Sequence, residues 1–311
     1  MELLLQILLL IAGFVLLVKG ADWFVDGASG IASRLGIPEL VVGLTIVAMG
    51  TSLPEAAVSI VAAIKGSAEI TIGNVVGSNI LNVLIILGIT SLIREIAVQR
   101  STVRYELPFT IGVTVLLVCL GLLDHYISRA DGWILWIFMI LYLLYLWQMT
   151  KKGSQEEAKE ERQKPIWLLL LMVASGGTMI VFGSDITVDA ATAMAKMFGM
   201  SERFIGLTIV ALGTSLPELV TSVTAAIKGK SDIAMGNIVG SNIFNILFVV
   251  GTTALITPVE YAASFTVDSI VAIVTMLLLL LCVARHHKLG RLGGTLLLLS
   301  YGGYFVYLMQ S

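Results

Sequence analysis

Residues Gly43 to Glu55 read GLTIVAMGTSLPE, and residues Gly206 to Glu218 read GLTIVALGTSLPE. The two stretches differ only at Met49 and Leu212. Working outward, residues 22 to 88 align without a gap on residues 185 to 251 at a constant offset of 163, and 36 of the 67 positions are identical. A second shared block lies in both copies, GNVVGSNILN from Gly73 to Asn82 and GNIVGSNIFN from Gly236 to Asn245. Self-similarity on this scale marks a duplicated structural unit, and it decides the fold before any local motif does.

Composition says which solvent the duplicated unit occupies. Hydrophobic residues make up 57% of the 311-residue chain and charged residues 13%, with a mean hydropathy of +0.96. That lies far outside the range of water-soluble domains. A membrane span takes about 20 apolar residues. Ten such segments are expected, at 3–33, 38–64, 69–93, 104–123, 130–149, 165–197, 202–227, 232–256, 263–284 and 291–309. The N-terminal segment has Glu2 and no basic run before it, so it reads as a retained helix and not as a cleaved signal.

Each unit holds five spans, an odd number, so the second copy enters the bilayer from the opposite side. The expected fold is an all-α membrane protein of ten transmembrane helices in two inverted five-helix repeats, with helices 2 and 7 discontinuous. Residues 1–149 form the first repeat, 150–164 a short cytoplasmic linker and 165–311 the second repeat, with the paired motifs at 43–88 and 206–251. With both termini outside, inner loops carry fourteen Lys and Arg, among them Arg94, Arg100, Arg104, Lys151, Lys228 and Arg285. Only Lys65, Arg129, Lys196 and Arg203 then face out, which agrees with the positive-inside rule.

Within this frame the Gly-Thr-Ser-Leu-Pro-Glu runs stand out chemically. Pro54 has no N–H for the carbonyl of Gly50, and Pro217 none for Gly213, so each helix is expected to open there. Open backbone at membrane depth is tolerated only where it is buried in protein or lines a hydrated cavity. The carbonyls of Ala48 and Ala211, the hydroxyls of Thr51, Ser52, Thr214 and Ser215, and the carboxylates of Glu55 and Glu218 together offer an all-oxygen shell suited to hard cations such as Ca2+ and Na+. Ser78 and Asn82 lie four apart, as do Ser241 and Asn245, so each pair shares one helix face. A charge at mid-membrane costs at least about 2.5 to 3.5 kcal/mol. No Lys or Arg lies at matching depth, so the two carboxylates need cations or protons.

These paired motifs resemble the alpha repeats of the cation/calcium antiporter superfamily, and the chain resembles a small prokaryotic sodium/calcium exchanger. The resemblance spans essentially all ten segments. It implies a core of spans two, three, seven and eight around adjacent cation sites, with long first and sixth helices sliding across it. It also implies ligands at Ala48, Thr51, Ser52, Glu55, Ser78, Asn82, Ala211, Thr214, Ser215, Glu218, Ser241 and Asn245. Proton/calcium exchangers carry GNxxE in their repeats, whereas both copies here read GNxxGS. Potassium-dependent members have Asp where this chain has Asn245, an amide with an oxygen but no charge.

Plainer readings cover other features. Gly73 with Gly77, and Gly236 with Gly240, let helices approach closely. Asp22, Asp26, Asp185 and Asp189, late in the two long helices, read as solvated interfacial carboxylates. His125, His286 and His287 fall in loops, and Cys119 and Cys282 behave as small apolar residues. Trp133, Trp136, Tyr142, Tyr145 and Trp147 suit an interfacial or packing role. No catalytic chemistry is visible, so no enzyme activity and no cofactor are expected, and without a phosphate-cradling loop of the Walker type the energy is expected from an ion gradient and not from ATP. Membrane lipid, Ca2+ and Na+ are the expected partners, with no nucleic acid and no protein partner, in a prokaryotic plasma membrane. A Ca2+/H+ exchanger and a passive cation channel stay as alternatives to a Ca2+/Na+ antiporter.

Overall fold

In the computed structural model, residues 2–65, 67–68, 70–153, 164–199, 211–262 and 264–310 are described. They form helices α1 (Glu2–Leu35), α2 (Glu39–Thr51), α3 (Leu53–Ile64), α4 (Ile70–Ile93), α5 (Thr102–Asp124) and α6 (Arg129–Gly153). The second half continues with α7 (Ile166–Met197), α8 (Ala211–Thr214), α9 (Leu216–Ile227), α10 (Ser231–Ile256), α11 (Ser264–Ala284) and α12 (Arg291–Gln310). Eight of the described helices are long and apolar enough to cross a membrane, or nine if α2 and α3, bent by 49°, count as one span. The start of the seventh expected span, with Gly206 to Val210 of the second motif and Arg203, lies outside the described residues, as does most of the 150–164 linker.

The expected all-α architecture carries one small addition. Strands β1 (Ile96–Ala97) and β4 (Lys288–Leu289) pair antiparallel, as do β2 (Tyr126–Ile127) and β3 (Val259–Glu260). Each ladder ties a loop of the first half to a loop of the second. One apolar residue per strand, Ile96, Ile127, Val259 or Leu289, is fully buried, so each loop is anchored by burial as well as by backbone pairing.

Helices α1 and α7, of 34 and 32 residues, are each about 50 Å long at about 1.5 Å per residue. They lie side by side and antiparallel, because Gly13 packs on Gly183, Gly20 on Gly176 and Ile180, and Gly27 on Leu169 and Val173. A methyl group at Gly20 would lie 2.8 Å from the Gly176 carbonyl oxygen. Glycine every seventh residue on α1 thus lets two backbones touch where larger side chains would hold them apart.

At the centre, α10 is almost wholly enclosed by the rest of the protein. Gly236 and Gly240 let it meet α2 backbone to backbone, at Leu40, Gly43 and Leu44. The expected close approach is present for this pair. The residues at the repeat offset from Leu40, Gly43 and Leu44 are 203, 206 and 207, outside the described set. Among the described residues four stretches widen to π-helical turns: Gly43–Val47, Asn82–Leu87, Thr102–Glu106 and Asn245–Val250. The second and fourth stand at the repeat offset of 163, and π turns concentrate at functional positions.

Candidate functional site

The break in the α2–α3 pair falls at Ser52, with φ −84° and ψ 8°, and its counterpart at Ser215 has φ −91° and ψ 5°. Both lie two residues ahead of the proline. Pro54 and Pro217 therefore occupy the first turn of α3 and α9, where a missing N–H costs nothing. Proline's incompatibility with a continued helix sets the discontinuity, and the chain places it at Ser52 and Ser215, between the Gly50 and Gly213 carbonyls and the prolines. Glu55 and Glu218 then stand in first turns as well, at the end of each helix where free N–H groups favour negative charge.

Both carboxylates are buried, each with 1% of its surface exposed. The Ser52 hydroxyl donates to Glu218 Oε1 at 2.9 Å, and the Ser241 hydroxyl reaches the Ala48 carbonyl at 3.4 Å. Residues from α2, from the break and from α10 thus meet Glu218 of α9. Thr51 donates to Asn237 Oδ1 at 3.0 Å. Ser78 is buried on α4, and Thr214 is half-buried where α8 ends.

Two asparagine pairs that the ligand expectation did not include organise this cluster. Asn74 on α4 donates to the Glu55 carbonyl at 3.1 Å and to Ser59 Oγ at 2.9 Å. Asn237 on α10 does the same to the Glu218 carbonyl at 3.4 Å and to Ser222 Oγ at 2.9 Å. Each therefore braces the helix turn that carries a glutamate. The second pair, Asn79 and Asn242, crosses between α4 and α10. Asn79 Nδ2 donates to the Asn242 carbonyl, and Asn242 Nδ2 donates to the Asn79 carbonyl.

A backbone carbonyl only accepts, so these bonds settle which end of each amide is which. Asn79 Oδ1 is then left to accept Asn245 Nδ2 at 3.1 Å, and Asn242 Oδ1 to accept Asn82 Nδ2 at 2.9 Å. Among the described residues that leaves Asn245 Oδ1 and Asn82 Oδ1 without partners, and both are buried. Glu55 Oε2, Glu218 Oε2 and Ser215 Oγ are likewise buried and unbonded. All five are oxygens. Thr71 Oγ1 and Thr221 Oγ1 in the same motifs are also buried and unbonded; buried polar atoms are ordinarily paired, so the two carboxylate and two amide oxygens with Ser215 Oγ describe a place for something electron-poor. Among the described residues no cluster of three His, Cys, Asp or Glu forms; the charge of this cluster comes from two carboxylates alone.

Asn74, Asn79, Asn237 and Asn242 had a signal in the sequence: each pair recurs at the offset of 163, inside apolar helices. Their roles could not be read there, because a hydrogen bond between α4 and α10 has no trace in local spacing. The acidic residues of the long helices are also more engaged than expected. Asp22 and Asp26 pair with Lys228, just after α9, at 2.8 and 2.6 Å.

Duplicated buried carboxylates among many apolar helices define a polytopic membrane transporter of cations. The chain belongs to the sodium/calcium exchanger protein family, whose sequence profile matches residues 5–150 and 168–310. It is 41% identical over 312 residues to the putative antiporter CaxA of Alkalimonas amylolytica, covering 97% of this chain and 98% of that one. It is 32% identical over 347 residues to the sodium/calcium exchanger MaX1 of Methanosarcina acetivorans, covering 97% of each. Its fold matches the solved sodium-calcium exchanger NCX_Mj soaked without Na+ and Ca2+, with a TM-score of 0.85 at 31% identity over 98% of this chain and 99% of that one. It is therefore an integral membrane antiporter of a family that transports ions and is not an enzyme.

Proposed function

We propose that this protein is a secondary active antiporter that exchanges Ca2+ for Na+ by alternating access. The observation that carries the reading is the set of unbonded buried oxygens on Glu55, Asn82, Ser215, Glu218 and Asn245. Among the described residues no Lys or Arg pairs with either glutamate. Two carboxylates balance one Ca2+, and neutral amide and hydroxyl oxygens complete a hard-cation shell. The proposed ligands are Ala48, Thr51, Ser52, Glu55, Ser78 and Asn82 with Ala211, Thr214, Ser215, Glu218, Ser241 and Asn245. Na+ competes for the same oxygens, and competition couples the two fluxes.

The topology proposed with it is ten spans in two inverted repeats, 1–149 and 165–311, joined by a cytoplasmic linker at 150–164, with both termini outside in a prokaryotic plasma membrane. Three observations favour it: the antiparallel packing of α1 on α7, the mirror-image bonds of Asn79 and Asn242, and the two ladders, each joining loops that such a topology puts on one side. Inverted repeats can exchange conformations, which opens one site alternately to each face. The exchanger name of the relative MaX1 points the same way.

Calcium uptake into proteoliposomes loaded with sodium, potassium or choline at equal pH tests the reading. Uptake from sodium-loaded vesicles only, lost in Glu55→Gln and Glu218→Gln, is the expected result. Uptake driven equally by a pH gradient without sodium would assign the protein to proton coupling, and uptake indifferent to any counter-ion would make it a channel.

A further inference from the structure

A second buried carboxylate lies away from the duplicated motifs. Glu106 stands in the π-helical turn Thr102–Glu106 that opens α5 and is 1% exposed. Tyr145 of α6 donates to its Oε1, while its Oε2 has no hydrogen bond. The hydroxyls of Ser101 and Thr102 lie beside the same group. Among the described residues no Lys or Arg comes within ion-pairing distance. The buried hydroxyl of Tyr142 is also without a partner.

The two residues that carry these groups wall one half-open cavity of about 320 Å³, together with Arg104, Tyr105, Phe109, Leu141 and Tyr145. Phe109 and Tyr142 stack at 5.5 Å, and Tyr105 stands 6.4 Å from Tyr145. The cavity lies at the first turns of α5 and the second half of α6, and farther along α6 exposed Trp147 has Lys151 over its ring at 3.7 Å. Aromatic and basic side chains gather in this way at the depth of lipid headgroups.

A ligand for this cavity must bring a positive charge that donates hydrogen bonds, tolerate ring faces and arrive from the bilayer. We propose that the cavity binds a phospholipid with a primary ammonium headgroup, of the ethanolamine class. Its ammonium donates to Glu106 Oε2 and Tyr142 Oη against the tyrosine faces, which attract cations. Arg104, over the Tyr105 ring at 5.8 Å on the same wall, takes the phosphate, for which a guanidinium is suited. Arg104 and Glu106 thus present opposite charges in the order of the zwitterionic headgroup. The second half offers an internal comparison: Asp268 of α11 accepts from Tyr304 of α12 at 2.8 Å but is only half-buried.

The test is native mass spectrometry of the full-length protein with equimolar phosphatidylethanolamine, phosphatidylcholine and phosphatidylglycerol of identical chains. Ethanolamine lipid is expected to be retained over the other two. That preference should fall about tenfold in Glu106→Gln, the loss of one charge-assisted hydrogen bond. Tyr142→Phe removes a single hydroxyl without altering packing and should lower it about threefold, while Asp268→Asn leaves it unchanged. Soluble phosphoethanolamine should displace the lipid if the headgroup makes the contact. Equal retention of the three lipids, or a preference that survives both Glu106→Gln and Tyr142→Phe, would overturn the assignment.

Discussion

Asn79 and Asn242 hold each other through mirror-image hydrogen bonds, each side-chain amide donating to the other's backbone carbonyl at 3.2 and 3.3 Å. They stand at the repeat offset, and through Asn245 and Asn82 they turn two amide oxygens free of partners. Neither residue is itself a proposed ligand. Asn79→Ala is expected to weaken Ca2+ binding about tenfold by releasing the Asn245 amide, and Asn242→Ala to do the same through Asn82, at about 1 to 2 kcal/mol each. Calorimetric titration of Ca2+ checks this. A purely structural role would lower the melting temperature and leave the dissociation constant where it was.

Glu55 and Glu218 are buried like charges whose stability depends on what lies between them. Saturating Ca2+ at about 100 times its Kd should stabilise the wild-type fold by about 2.7 kcal/mol, seen as a rise in melting temperature. Glu218→Gln removes half of the charge that balances Ca2+. Its melting temperature without ions should match or exceed that of the wild type, because repulsion is relieved, and should no longer respond to Ca2+. A full Ca2+ response in this variant would remove Glu218 from the site.

Lys228 fastens α1 to the end of α9 through Asp22 and Asp26. The residues at the same offset are Lys65, Asp185 and Asp189, and among the described residues no ion pair joins them. One arm of a symmetric pair of clasps is therefore closed. Burial lowers the Lys228 pKa, but the hydrogen bonds and charges of Asp22 and Asp26 outweigh it and hold the value above that of an ordinary lysine. The clasp is thus formed at neutral pH, and on the alkaline side it is lost as pH rises through that raised value. Partly exposed ion pairs contribute about 0.5 to 1 kcal/mol. Lys228→Gln should therefore change the ratio of apparent Na+ affinities at the two membrane faces about two- to fivefold. Lys65→Gln should move it the opposite way or not at all, as read in right-side-out and inverted vesicles. An equal shift in the same direction from both variants would exclude the clasp.

The contact between α1 and α7 leaves no room for a side chain. Gly176→Val is expected to destabilise the protein by about 1 to 3 kcal/mol, because its Cβ meets the Gly20 carbonyl and Phe24 backbone at 2.7 Å. Thermal melting in detergent measures the cost. Gly302→Ala, on α12 with nothing nearby, should be neutral.

The duplication was legible because it is written as identity at a fixed spacing, and the burial of Glu55 and Glu218 followed from apolar surroundings. Ser52 as the point of the break was not legible, since proline forbids continuation of a helix without stating which earlier residue leaves it. Asp22 and Asp26 are largely exposed, as read, but their pairing with Lys228 was not legible, since it lies 206 and 202 residues away in sequence. Glu106 gave no signal, being a single acidic residue near a helix start, where exposure is the ordinary expectation.

The sequence by itself determined what is local or periodic: apolar spans long enough for a bilayer, a unit present twice, and a proline-glutamate pair in each copy. Only the tertiary structure decided which oxygens remain unbonded, because that depends on amides of α4 and α10 meeting across the repeat interface. It also decided that Arg104, Glu106 and Tyr142 share a cavity. Hydrogen bonds act over about 3 Å, and the residues they join lie tens to hundreds of positions apart in the chain.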